Sequence, residues 1–166
     1  AVTRRKTAHD NSYRLGRSLL EEVSVCLLGG YGMPAELGLA AFERLQILDL
    51  LNGYASQADI EEALTEPFEI KGRMRRYRFA RQKSRYLASC LNQLCHAALP
   101  QGEKECRDYL TTLDGIGPKT ASWIVRNHFS SNDVAILDIH IIRAGIVIGL
   151  FERTADPARR YFQLED

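Results

Sequence analysis

An amine and a carboxylate 19 residues apart, Lys119 and Asp138, are the side chains with the most chemistry to offer. Lys119 follows Leu-Asp-Gly-Ile-Gly-Pro, residues 113 to 118, and opens a helical pattern that continues through Thr120, Ala121, Ser122 and Trp123. A cation at a helix start opposes the macrodipole, which costs about 0.3–1 kcal/mol at an exposed site. That field, with desolvation, favours a neutral amine, and a neutral amine is a nucleophile. The plainer role for Lys119 is a solvated ammonium reaching a phosphate.

Asp138 ends a short apolar segment and precedes the helical run Ile-His-Ile-Ile-Arg-Ala-Gly. Asp is a favoured N-cap, expected here to accept from the backbone N–H of His140 or Ile141. A carboxylate held that way stays ionised and stabilises developing positive charge nearby. One helix and one loop separate it from Lys119, enough chain to return to the same mouth. His140 is a candidate supporting group, although a lone His after a cap more often packs or caps.

In the turn itself, Gly115 and Gly117 allow positive φ and carry no side chain above the backbone. Gly115, Ile116, Gly117 and Pro118 are therefore candidates to cradle a phosphate at a helix start. The competing reading is a simple connection between antiparallel helices. Trp123 falls on the same helical face as Lys119, one turn on. It is a candidate to stack on an everted base, or else a core residue.

The chain's charges are unevenly placed. From Lys71 to Arg85 there are eight Lys or Arg residues and no acid, against a net charge of +1, so the rest of the chain sums to −7. A basic surface on an acidic body suggests a nucleic-acid partner. Arg76, Arg78, Arg81, Lys83 and Arg85 are the candidate phosphate contacts, with a solvated helix face as the alternative. The cysteines (Cys26, Cys90, Cys95, Cys106) lack CxxC spacing and are expected to be reduced core fillers, not disulfides or metal ligands. No signal-peptide form and no long apolar run is present, so a soluble protein in the cytoplasm is expected.

Apolar residues recur at helical spacing almost throughout, and alternating β-branched runs are nearly absent, so these groups must be positioned by an all-α fold. Helices are expected from about Asn11 to Leu28, with Leu15, Leu19, Val23 and Cys26 on one side, and from Pro34 to before Gly53. A third starts at Ser56, with Asp59 as its capping partner, and ends before Pro67. A fourth runs from about Arg75 to Ala98, with Phe79 facing the core. Further helices span Gly102 to Thr112, Pro118 to Phe129 and Asp138 to Leu150, and a short last one is capped by Asp156. Residues 66 to 74 and 130 to 137 read as linkers.

Taken together, Leu-Asp-Gly-Ile-Gly-Pro-Lys-Thr-Ala and Leu-Asp-Ile-His-Ile-Ile-Arg resemble the helix-hairpin-helix DNA glycosylase superfamily. The chain is most similar within it to the compact archaeal and bacterial 8-oxoguanine DNA glycosylases, and Tyr77 to Leu87 also has that look. The resemblance implies a single domain of two lobes over residues 1–166, with the helix-hairpin-helix at 102–129, the aspartate loop and helix at 130–150, and DNA in the cleft.

The resemblance also implies that Lys119 attacks the deoxyribose C1′ to expel the base and form a Schiff base. Asp138 would stabilise the cationic sugar, and residues 113–118 would hold a DNA phosphate, often through a monovalent cation. No catalytic metal or cofactor is expected, and no iron-sulfur cluster, since the branch that carries one places four cysteines near its C-terminus and no cysteine follows Cys106. The expected partner is double-stranded DNA with a modified base, bound by a monomer in a prokaryotic cytosol or nucleoid. The alternatives are a glycosylase for another modified purine, a monofunctional glycosylase, and a non-catalytic DNA-binding module. Base-reading residues are not assigned.

Overall fold

The computed structural model describes residues 13–30 and 32–165. Its elements are α1 (Leu19–Leu28), α2 (Ala35–Ile47), α3 (Gln57–Thr65), β1 (Phe68–Ile70), β2 (Arg73–Arg75), α4 (Ala80–His96), α5 (Glu103–Leu110), α6 (Pro118–Phe129), α7 (Ile139–Val147) and α8 (Pro157–Glu165). The fold is helical, with one antiparallel two-stranded ribbon that the sequence reading took for a linker.

Local chemistry sets most boundaries. Ser18 caps α1 by accepting from the Glu21 N–H, so this helix starts at Leu19 and not near Asn11; residues 11 and 12 lie outside the described residues. Leu15 precedes the helix and is 60% exposed, so it does not share a helical side with Leu19, Val23 and Cys26. Pro34 is the N-cap of α2, not its first helical residue. The Ser56 hydroxyl accepts from the Asp59 N–H and donates to the Asp59 carboxylate, so α3 starts where expected. Asp156 Oδ1 accepts from the Ala158 N–H at the start of α8.

The fourth helix begins at Ala80, five residues later than its periodicity suggests, with Phe79 as a half-buried N-cap. The cause is tertiary. Tyr77 is buried and its hydroxyl donates to Leu28 O at 2.6 Å, which fixes the approach to α4 before the helix can start. The ribbon pairs Phe68 with Arg75, Glu69 with Met74 and Ile70 with Arg73. Lys71 and Gly72 make its two-residue turn with φ of 52° and 73°, the positive pair that matches strand twist in tight hairpins.

A large core joins α1 to α6, with Leu27, Leu45, Leu64, Leu87, Leu110 and Ile124 among its fully buried side chains. A smaller cluster of Leu137, Ile142 and Tyr161 lies under α7 and α8. Cys90 and Cys106 are buried, Cys26 and Cys95 half-buried, and all four are free thiols. Burial pushes the Cys26 and Cys90 thiols up to about 12, so they are poor thiolate nucleophiles or ligands. Glu22 is wholly buried, and its carboxylate accepts from the Leu15 and Gly16 N–H groups and the Asn127 amide. Among the described residues no helix is long and apolar enough to cross a membrane.

Candidate active site and nucleic-acid interface

Residues 113–118 connect α5 to α6 and are held from below by α4. Cys90 Sγ donates to Asp114 O at 3.1 Å, and the Tyr86 ring lies against Gly115. Gly115 has φ +79°, and a Cβ there would meet the ring at 2.3 Å, so both conformation and space demand glycine. Gly117 does not use that conformational freedom: its φ is −88°, and nothing lies within 4 Å of where a Cβ would be. Leu113 and Ile116 are buried and anchor the turn by their side chains, while the Ile116 N–H donates to Leu113 O.

No side chain caps α6, so its first N–H groups are left for an outside acceptor. Lys119, the second residue of α6, is exposed, and its Nζ lies 5.7 Å from the centre of the Trp123 ring. Among the described residues no carboxylate pairs with it at salt-bridge distance. Trp123 is 41% exposed, which removes the reading of a core tryptophan.

Asp138 is the N-cap of α7. Its Oδ1 accepts from the Ile141 N–H at 2.8 Å and the His140 N–H at 2.9 Å. Its carboxyl is held below the ordinary 3.8 chiefly by the Ile141 N–H, against a burial effect in the other direction. The His140 N–H, the His140 ring and the charge of Lys119 add to the lowering. The charge of Lys119 is the smallest of these influences on the carboxylate. His140 and Ile141 are exposed.

The loop that delivers Asp138 is held by residues the sequence did not single out. The Tyr161 hydroxyl donates to Ala135 O at 2.8 Å and accepts from the Leu137 N–H at 3.1 Å. Glu165 accepts from the Ala135 N–H at 2.6 Å and pairs with Arg107 of α5, a buried guanidinium stacked 4.4 Å from the Phe162 ring centre. These contacts span 24 to 58 residues of sequence, and no local pattern announces them.

The basic segment lies on the surface in two parts. Arg78, Arg81 and Arg85 line a concavity of about 680 Å³ with Phe79 and Gln82 at the start of α4. Lys71, Arg73, Arg75, Arg76 and Arg78 line another of about 620 Å³ beside the ribbon. Neither is lined by Lys119, Trp123 or Asp138. Lys83 is half-buried, unlike the exposed Arg81 and Arg85, and burial lowers its pKa.

The geometry is that of two helices joined by a glycine turn, followed by an aspartate-capped helix, and that arrangement defines a helix-hairpin-helix protein. Residues 4–166 match the family described as 8-oxoguanine DNA glycosylase, and the chain belongs to that family. Similar folds are the 8-oxoguanine DNA glycosylase of Methanocaldococcus jannaschii (23% identity, TM-score 0.65, covering 88% of this chain and 65% of that one) and that of Thermotoga maritima (24%, 0.65, 89% and 67%). A third is the M. jannaschii 8-oxoguanine glycosylase/lyase in complex with a 15mer DNA containing 8-oxoguanine (23%, 0.62, 88% and 67%). The chain thus spans about two thirds of the length of the structures it resembles. No curated protein sequence matches it.

Proposed function

We propose that the chain is a bifunctional DNA N-glycosylase and AP lyase that removes an oxidised purine, 8-oxoguanine foremost, from double-stranded DNA. The observation that carries this reading is an exposed Lys119 at the uncapped start of α6 whose charge acts on Asp138, a carboxylate fixed by two backbone N–H groups. Membership of the family supports the substrate class.

In this mechanism the unprotonated Lys119 Nζ bonds to C1′ of an extruded nucleotide. The bond from C1′ to the base breaks, and the base leaves with the electron pair and takes up a proton. Loss of a proton from nitrogen and opening of the sugar ring give the iminium. Removal of a C2′ proton then expels the 3′ phosphate by β-elimination. Asp138 stabilises the cationic sugar at the first step, its charge kept by the Ile141 and His140 N–H groups.

Trp123 supplies an exposed aromatic face beside the amine for the everted base. The α6 start and Gly117, open above its backbone, receive a phosphate. The carbonyls of Leu113 and Asp114 are engaged once each, by the Ile116 N–H and the Cys90 thiol. They keep a second lone pair each, which fits a weakly held monovalent cation. The protein works as a monomer in the cytosol or nucleoid and needs no other cofactor.

Borohydride added during reaction with an 8-oxoguanine duplex traps a covalent protein-DNA adduct for the wild type and none for Lys119→Gln. Trapping by Lys119→Gln, or base release from an undamaged duplex at the same rate, refutes the assignment.

A further inference from the structure

We infer that the β1–β2 ribbon is a second anchor for the DNA backbone, set apart from the Lys119 turn and joined to it by a basic track along α4. The inference rests on the proposed DNA substrate, but its evidence lies in a different part of the fold.

Strand pairing sorts the charges of the ribbon. Arg73 lies opposite Ile70 and Arg75 opposite Phe68, so both arginines share the face of those two apolar residues, while Glu69, the ribbon's acid, shares the other face with Met74. The arginine face borders the 620 Å³ concavity, lined by Leu37 and Ile70, by Lys71, Arg73, Arg75, Arg76 and Arg78, and by the acid Glu36. Lys71 is paired with Glu36. Among the described residues no acid pairs with Arg73, Arg75, Arg76 or Arg78. Four unneutralised guanidiniums around one hollow repel each other, and a polyanion relieves that repulsion.

The hollow is linked to the glycine turn through side chains of α4. Arg78 lines both concavities. Gln82 lines the second one and donates to the Tyr86 hydroxyl at 3.1 Å, and the Tyr86 ring supports Gly115 of the turn. From Ala80 to Tyr86 the helix rises about 9 Å at 1.5 Å per residue. One DNA strand advances roughly 3.4 Å per phosphate along its axis, so this stretch of α4 matches about three nucleotides of one strand. A single strand of a duplex, seated at the turn and followed to one side, reaches the arginine face.

The test is fluorescence anisotropy as a function of salt, on a long duplex centred on the lesion and on two duplexes cut back close to the lesion on one side or the other. Arg73→Gln with Arg75→Gln is expected to lower the slope of log affinity against log salt by up to about 1.8 on the long duplex, at about 0.9 per phosphate contact. One of the two shortened duplexes is expected to erase that difference. Arg76→Gln, outside both strands, lowers the slope by about 0.9 and keeps the test readable if the double variant does not fold. Glu69→Gln, on the opposite face, leaves the slope in place. Equal slopes for wild type and arginine variants on the long duplex overturn the inference, and so does a difference that survives both truncations. If wild type forms no borohydride adduct while the slopes behave as stated, the glycosylase reading fails and the anchor stands.

Discussion

Replacing Tyr161 by Phe removes one oxygen and leaves the ring in the cluster with Leu137 and Ile142. That oxygen serves two backbone groups of the loop before Asp138, as donor to Ala135 O at 2.8 Å and acceptor from the Leu137 N–H at 3.1 Å. Tyr161 is buried, and so is the bond from Leu137, so the Leu137 N–H loses its bond with little access to water. Leaving a buried backbone group unpaired costs about 1–3 kcal/mol, and the carbonyl here is only partly enclosed. The expected loss is therefore about 2–4 kcal/mol for the pair. Urea unfolding followed by circular dichroism should show the midpoint fall by that amount divided by the slope, with the slope itself unchanged. The variant loop also no longer fixes Asp138, so adduct formation with borohydride should slow under single-turnover conditions while equilibrium binding of the duplex changes little. A stability within about 0.5 kcal/mol of wild type, the size of an ordinary surface substitution, with unchanged trapping, would refute the argument that this hydroxyl holds the loop.

Asp138→Asn keeps the cap but not the charge. Because the folded carboxyl titrates below its ordinary 3.8, its stabilising effect is present above that value and is lost as pH falls through the depressed folded one. The stability gap between wild type and variant, read by urea titrations, should therefore close as pH is lowered below about 4. Gly115→Ala meets both a φ of +79° and the Tyr86 ring, and should lose about 2 kcal/mol or more in thermal or urea unfolding. Gly117→Ala, with an extended φ and open space, should stay within about 1 kcal/mol in stability and show its effect in weaker duplex binding. Trp123→Ala, at a 41% exposed site, should leave the melting temperature nearly in place and weaken lesion binding by about 1–3 kcal/mol in anisotropy titrations.

The parts of the site that were legible in the sequence are those governed by local chemistry. Asp138 caps its helix through the backbone groups named from spacing alone, and Ser56 and Asp156 do the same for α3 and α8. Lys119 and Trp123 share a face because helical periodicity fixes it. The parts that were not legible depend on distant partners. The start of α4 is set by Tyr77 reaching Leu28, and a periodic reading cannot see that bond. The ribbon escaped notice because each strand has three residues, one carries two arginines, and a Lys-Gly turn lacks the Asn or Asp that usually marks such a bend. Gly117 is free to use positive φ and does not, since a residue type shows what conformations are open, not which is taken. Tyr161, Glu165 and Arg107 look like ordinary residues of amphipathic helices until α8 is docked against the loop.

The interior carboxylate of Glu22 sets a limit on how the chain can be edited. It is satisfied by the amides of Leu15 and Gly16 on one side and by Asn127 on the other. The few residues ahead of α1 therefore act as a plug for the helix that bears the amine. A version cut back past Gly16 would strip two donors from an enclosed anion. A methyl group at Gly16 would press within 2.5 Å of the Glu22 nitrogen and prise the plug out.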